Sequence, residues 1–304
     1  ADEITLGKPY FEAAWNGGVG PDQTIWAMPM GGDARVLFFR RDTLAEASLS
    51  EPKAFSNQIS LENTLAVIEK MTGLPAMSLP TGRSRNNLHI AACWVWGMNA
   101  SFLGSDGQSI TFDSPEALEG FKAYFALGRF LHKQRMEEYE SDGAFLQGQT
   151  PVTISGYWIL HETKAVAVKQ NLGVAPIPGI PFVGGQHLVL WNHSRKAEAA
   201  LRLIRFLNQD ASRQALHPHF GLPTAKTEWE RAPFNQPEYA TFAQALNSGR
   251  SFSTSPLWGL VEKRLSDLLA DIWAEVLLRP DRMNLVVENQ IGALAKRLRM
   301  TLKP

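Results

Sequence analysis

The 304-residue chain reads as an α/β protein, long enough for two domains or two lobes. Its length admits two ordinary domains. Short β-branched runs such as Val152–Ser155, set between Gly148 and Gly156, read as strands and alternate with segments of helical period. The composition, 44% hydrophobic and 20% charged, is that of a folded globular chain.

Charge and cysteine content exclude several function classes. Lysine plus arginine equals aspartate plus glutamate, 30 each, so no basic excess is available for a phosphate backbone and no nucleic-acid partner is expected. Cys93 is the one cysteine, which rules out an intrachain disulfide and a cysteine metal cage. No apolar run reaches the length of a membrane span.

Taken in order, residues 1–23 are loop-like, with turn signals at Asn16-Gly17-Gly18 and Gly20-Pro21. Residues 24–30 read as a strand running into Pro29. Gly31 and Gly32 follow, a pair suited to a hinge because glycine turns through angles other residues resist. Asp33 and Arg35 come next, then the apolar strand 36–39. A helix over 60–72 is capped by Ser60, buries Leu61, Leu65 and Ile68, and stops at Gly73. Residues 75–87 form a loop. The helical stripe from His89 carries Trp94 and Trp96, which lie two apart and cannot share a face. Trp96 precedes Gly97, which opens space beside it, and Asn99 lies just beyond.

A turn at 104–107 and a short strand at 110–112 lead to a helix capped by Asp113 or Ser114, with Pro115 in its first turn; its spacing continues to Lys133. The stretch 145–191 organises the rest: a turn, the strand Val152–Ser155, the pair Tyr157–Trp158, a helix, a second strand, a proline loop and Gly184-Gly185. In open α/β sheets ligands sit beyond the carboxyl ends of strands, which is where Trp158 falls. A flat indole stacks on the C–H face of a sugar while polar groups take its hydroxyls. Ser194 caps a helix over 195–209 with Ala200, Leu203, Ile204 and Leu207 on one face, and a second helix covers 211–216. Residues 220–223 and 230–237 are loops. A helix over 257–278 follows, then a last one after Pro280-Asp281 that turns Met283, Val287, Ile291, Leu294 and Leu298 inward.

Gly148 through Trp158, Leu172 through Pro178 ("L-G-V-A-P-I-P"), Val183 through Gln186 and Gly221-Leu222-Pro223, in that order and spacing, resemble the extracellular solute-binding proteins of ABC importers, the maltose-binding-protein-like family for carbohydrates. The resemblance implies a periplasmic-binding-protein-like fold of two lobes about a cleft, crossed near 30–36, 183–188 and 250–257. Lobe I would hold residues 1–35 and 186–252, and lobe II 36–185 and 253–304. It implies a carbohydrate ligand, delivery to a permease, a periplasmic or extracellular location at the membrane through the transporter, and closure by hinge motion. Trp158, Trp96 and Trp258 would stack on rings. Asp33, Arg35, Asn99, Gln186 and the Gly184 and Gly185 amides would bond hydroxyls. Family members open with further strand–helix units before the Pro29-like crossing, so lobe I is expected to be incomplete at its N-terminus. Its edge and apolar surface would then meet a second chain or a dimer partner.

No catalytic constellation emerges. There is no G-x-S-x-G and no G-x-x-x-x-G-K-[ST]. His217-Pro-His219 is a weak metal motif. Glu137 and Glu138 read as solvated, and no carboxyl pair is set for a glycosidic bond. No cofactor or metal is expected, and the chain reads as a binder rather than an enzyme. A sugar-sensing or regulatory receptor with a reduced lobe is the alternative, and a carbohydrate-active enzyme ranks below it.

Overall fold

The computed structural model describes residues 2–20, 22–162, 170–252 and 254–301. The chain divides into two compact units, one of Ala1–Ala34 with Pro181–Ser255 and the other of Arg35–Ile180 with Pro256–Pro304. Strands are β1 (Met28–Ala34), β2 (Val36–Arg40), β3 (Met77–Ser78), β4 (Val152–Ser155), β5 (Leu172–Ala175) and β6 (Val183–Leu188).

The larger unit is built on a mixed sheet ordered β3-β4-β2-β5. β2 pairs antiparallel with β4, Val36 opposite Ser155, and with β5, Phe39 opposite Gly173; β3 lies parallel to β4. Leu37, Phe38 and Phe39 are all buried, the signature of a strand covered on both faces. Gly173 is required where it stands, because a Cβ there would meet the Phe39 ring at 2.1 Å.

The helix Gln58–Thr72 starts two residues before its expected position. Its cap is the Asn57 side chain, which accepts from Ser60 N–H, so Ser60 is the donor to the cap rather than the cap itself. Gly73 ends it at φ 67°. Ser114 caps Pro115–Ala126 by accepting from Ala117 N–H. That helix tightens into a 3₁₀ turn at Leu127–Phe130, short of Lys133. The helices Arg85–Gly97, Pro115–Ala126 and Trp258–Leu278 meet at one buried amide: Asn87 Oδ1 accepts from Tyr124 Oη at 2.9 Å and from Trp273 Nε1 at 3.3 Å. Gly120 allows close helix approach, since a Cβ there would sit 2.6 Å from Val95 Cα. The last helix, Met283–Thr301, buries Val287, Ile291, Leu294 and Leu298 as its spacing predicts.

In the smaller unit β1 and β6 form a two-stranded antiparallel sheet. Gly31 and Gly32 are not a turn; they lie inside β1, and a Cβ on Gly31 would meet the Phe220 carbonyl oxygen at 1.8 Å. Glycine there permits close backbone approach, at a point where the β1–β6 register shifts between Pro29 and Gly31. The helix Asp210–Phe220 is anchored to β1 through Arg213, which is fully buried. Its guanidinium grips Glu228 at 2.6 and 2.9 Å and also donates to Thr224 Oγ1 and the Pro29 carbonyl. The helix Ala240–Ser248 falls where no helix is expected. The helix Ala197–Leu207 buries none of its residues, so the face of Ala200, Leu203, Ile204 and Leu207 is not closed over. The continuation of the helix after Trp158 lies partly outside the described residues.

Candidate functional site

The carboxyl end of β4 collects the polar side chains of the larger unit. β2 runs antiparallel to β4, so Arg35, just before Val36, reaches the same end of the sheet as Ser155. Gly156 then releases the chain into Tyr157 and Trp158, and the short helix Ile159–Glu162 follows.

Trp158 is half-buried and held on two sides. Its indole N–H donates to Asp142 Oδ2 at 2.7 Å, and the Arg35 guanidinium carbon lies 4.8 Å from its ring centroid, within cation–π range. Gly156 gives the ring its seat, since a Cβ there would fall 2.0 Å from Trp158 Cζ3. Tyr157 packs edge-on to Trp158 at 6.3 Å and to His161 at 5.6 Å, so three rings cluster at the strand exit.

Arg35 is 3% exposed. Its Nη2 donates to Asn86 Oδ1 and lies 3.3 Å from His89 Nδ1. The side chain thus touches Asn86, His89 and the Trp158 ring. Burial, reinforced by the charges of Arg35 and Arg85, pushes the His89 imidazole well below its usual range, so it is neutral at pH 7. Burial pushes the Asp142 carboxyl up, against the Trp158 hydrogen bond and, more weakly, the Arg35 charge.

Trp96 is 2% exposed and packs edge-on against Phe102. Gly97 is exposed, with the chain close on one side, since a Cβ there would lie 3.2 Å from Gly179 Cα. Asn99 is exposed at φ 60°, a left-handed position that lets the chain leave the helix. Trp258 is half-buried and meets Phe102 edge-on at 6.0 Å, so Trp96 and Trp258 share one aromatic neighbour.

In the smaller unit the β1–β6 register sets Asp33 opposite Gly184, Gly32 opposite Gly185 and Gly31 opposite Gln186, which brings four of the expected site residues onto one strand pair. Asp33 and Gly184 are half-buried, and Gly185 and Gln186 are exposed. Gly185 has φ 137°, and a Cβ there would lie 2.0 Å from the Gly31 carbonyl oxygen. His217 is not in a metal cluster: its Nε2 lies 3.4 Å from Glu228 Oε1, and among the described residues no group of three or more metal-ligating side chains is found.

Asp142, Asn86 and His89 escaped the sequence reading. His89 carried a visible signal, since it stands four and seven residues before Cys93 and Trp96 on the inward stripe. Asp142 lies in Glu138–Leu146, whose inward face of Ser141, Asp142 and Phe145 is too polar to read as buried.

The family model for bacterial extracellular solute-binding proteins matches residues 2–214. A binding protein of Brucella abortus is 21% identical over 267 residues, covering 83% of this chain and 64% of that protein. The maltotriose-binding protein of Pyrococcus abyssi is 24% identical over 208 residues, 58% of this chain and 45% of that one. The chain thus spans less than two thirds of the length of these relatives. The structure of the sugar-binding protein MalE of Xanthomonas citri superposes with a TM-score of 0.80 at 20% identity, covering 96% of this chain and 75% of MalE. The α/β fold expected from the sequence is therefore shared with that protein, and the matched proteins are named for binding. Among the described residues no helix is long and apolar enough to cross a membrane.

Proposed function

This chain belongs to the bacterial extracellular solute-binding proteins, and from that premise we propose that it binds a carbohydrate, a sugar or oligosaccharide, and delivers it outside the cytoplasm to the permease of an ABC importer. The observation that supports a sugar over other solutes is Trp158 at the exit of β4, its polar edge tied to Asp142. A tethered indole offers its remaining surface to an apolar ring face without paying to order the side chain on binding. The relatives named for maltotriose and sugar binding point the same way. In this reading Trp158 stacks on a pyranose with Trp258 as a second aromatic contact. Asp33, Gln186, Asn99 and the Gly184 and Gly185 amides take hydroxyls, and Arg35 braces the indole.

Calorimetric titration with a panel of mono- and oligosaccharides tests it. Saturable heat with at least one sugar is expected, and Trp158→Ala weakens that binding about tenfold or more, a loss of ~1.4 kcal/mol. No heat with any member of the panel overturns the reading.

A further inference from the structure

We propose that the outer face of the helix Glu138–Leu146 carries a second saccharide-binding site, a groove that takes one neutral sugar ring apart from the Trp158 surface. The groove holds about 330 Å³, at the small end of the ~300–1,000 Å³ of small-molecule sites. All of its walls come from residues 134–149, so one short segment sets its shape. Tyr139, Gly143 and Gln147 recur at every fourth position and line it together. Ser141, Asp142 and Phe145 are buried on the other side of the same helix, where Asp142 accepts from the Trp158 indole. The body of the helix, roughly 10 Å across, stands between the groove and that indole, and one ring cannot touch both.

Both ends of the groove are fixed. Before the helix, Met136 N–H donates to Thr81 Oγ1 at 2.9 Å, and the Met136 carbonyl accepts from the Thr81 and Gly82 N–H groups. After it, Gly148 at φ 74° turns the chain back, so that Gln149 N–H reaches the Ala144 carbonyl at 2.8 Å. Gln149 Nε2 donates to Gln147 Oε1 at 3.1 Å. That pairing leaves Gln149 Oε1 as an acceptor beside Gln147 Nε2 as a donor, and a hydroxyl, donor and acceptor at once, matches the two. Gln134 adds a third amide. Arg135 and Glu140 bring one charge of each sign, and Glu140 turns back to accept from Glu137 N–H at 2.7 Å, so the groove has no net charge to select an ion. Tyr139 is 75% exposed, which leaves most of its ring for the C–H side of a sugar. Gly143 is the floor. Apart from the helix's own backbone, the nearest atom to a Cβ there would be Gln147 Nε2 at 3.8 Å, so a ring can lie where a side chain would otherwise stand.

The test is a nitrogen–proton correlation spectrum of the side-chain amides in the isotope-labelled 304-residue chain. Glucose, galactose, maltotriose and cellotriose are each added to about 20 mM, above the ~1 mM Kd of a shallow site. Saturable shifts of the Gln147 and Gln149 amide resonances are expected with at least one sugar. The same shifts are expected in Trp158→Ala, so a failure of the Trp158 reading leaves this readout intact. Gly143→Leu fills the floor and should weaken the affinity about tenfold or more, with far-UV circular dichroism unchanged. If that variant fails to fold, Gln149→Ala should give a similar loss, read at Gln147. No saturable shift with any of the four sugars overturns the proposal. Shifts that vanish in Trp158→Ala reduce them to an echo of that surface and overturn it too. Triglycine moving the pair where no sugar does gives the groove to a peptide and overturns it equally.

Discussion

The indole N–H of Trp158 donates to Asp142 Oδ2 at 2.7 Å, joining the strand exit to a residue sixteen positions earlier in the chain. Asp142 is buried, and it serves as the fixed end of this contact.

Asp142→Ala removes the acceptor and leaves the indole N–H unsatisfied, a cost of about 1–3 kcal/mol, whereas Asp142→Asn keeps an acceptor oxygen. The indole N–H proton resonance of Trp158 should move and exchange faster in the alanine variant and stay near its wild-type position in the asparagine variant. Because the folded-state pKa of Asp142 is raised, the native state holds that proton more tightly than the unfolded chain. Its contribution is therefore full below the ordinary value near ~3.9 and is lost as pH rises from there through the raised folded-state pKa. Asp142→Asn should lack that fall in urea titrations at stepped pH, and an identical pH profile in the two proteins would refute the assignment.

Gly156→Ala tests the seat of the indole. The added methyl would lie 2.0 Å from Trp158 Cζ3, so the ring must move and lose its alignment with Asp142. Sugar affinity is expected to drop as far as in Trp158→Ala, with β4 pairing intact by circular dichroism. Unchanged tryptophan fluorescence together with unchanged affinity would show that the ring can yield without consequence.

Legibility followed how local the cause was. Val152–Ser155 and the helix from Trp258 were readable because strand and helix periods survive in a single segment. The burial of Trp96 was not legible, and the room beside Gly97 depends on Gly179, eighty-two residues away. Gly31 and Gly32 mark bends and close approaches alike, and the close approach of the Phe220 backbone to Gly31 is invisible in the sequence. The burial of Arg35 was not legible because its partners Asn86 and His89 are distant in sequence.

His89 supplies a prediction of opposite pH sense to that of Asp142. Its folded-state pKa lies well below the ordinary value, so the unfolded chain takes up a proton that the native state refuses. Stability is full above ~6.5 and is lost as pH falls through that value. Burial is the largest cause, reinforced by the charges of Arg35 and Arg85. His89→Gln should flatten the loss between neutral pH and pH ~5 seen in melting temperature. A variant that loses stability on acidification as steeply as wild type would remove His89 as the cause.

Arg213 and Glu228 give the largest expected effect. The pair is bidentate at 2.6 and 2.9 Å, with both side chains buried. Burial works to raise the Glu228 pKa, but hydrogen bonds from His217 and Arg213, with their charges, more than offset it and hold it at about 2. Its contribution is therefore present above the ordinary value near ~4.3 and lost as pH falls towards the folded pKa. Glu228→Gln leaves the Arg213 charge buried without its counter-ion and should cost about 3–5 kcal/mol at pH 7. Replacing both residues by apolar side chains of similar volume should cost far less, because no buried charge is then left over. Urea unfolding of the single and double variants at pH 7 separates the two effects. If Glu228→Gln costs under about 1 kcal/mol, the range of an exposed pair, the network does not hold the helix Asp210–Phe220 against β1 in the way its geometry implies.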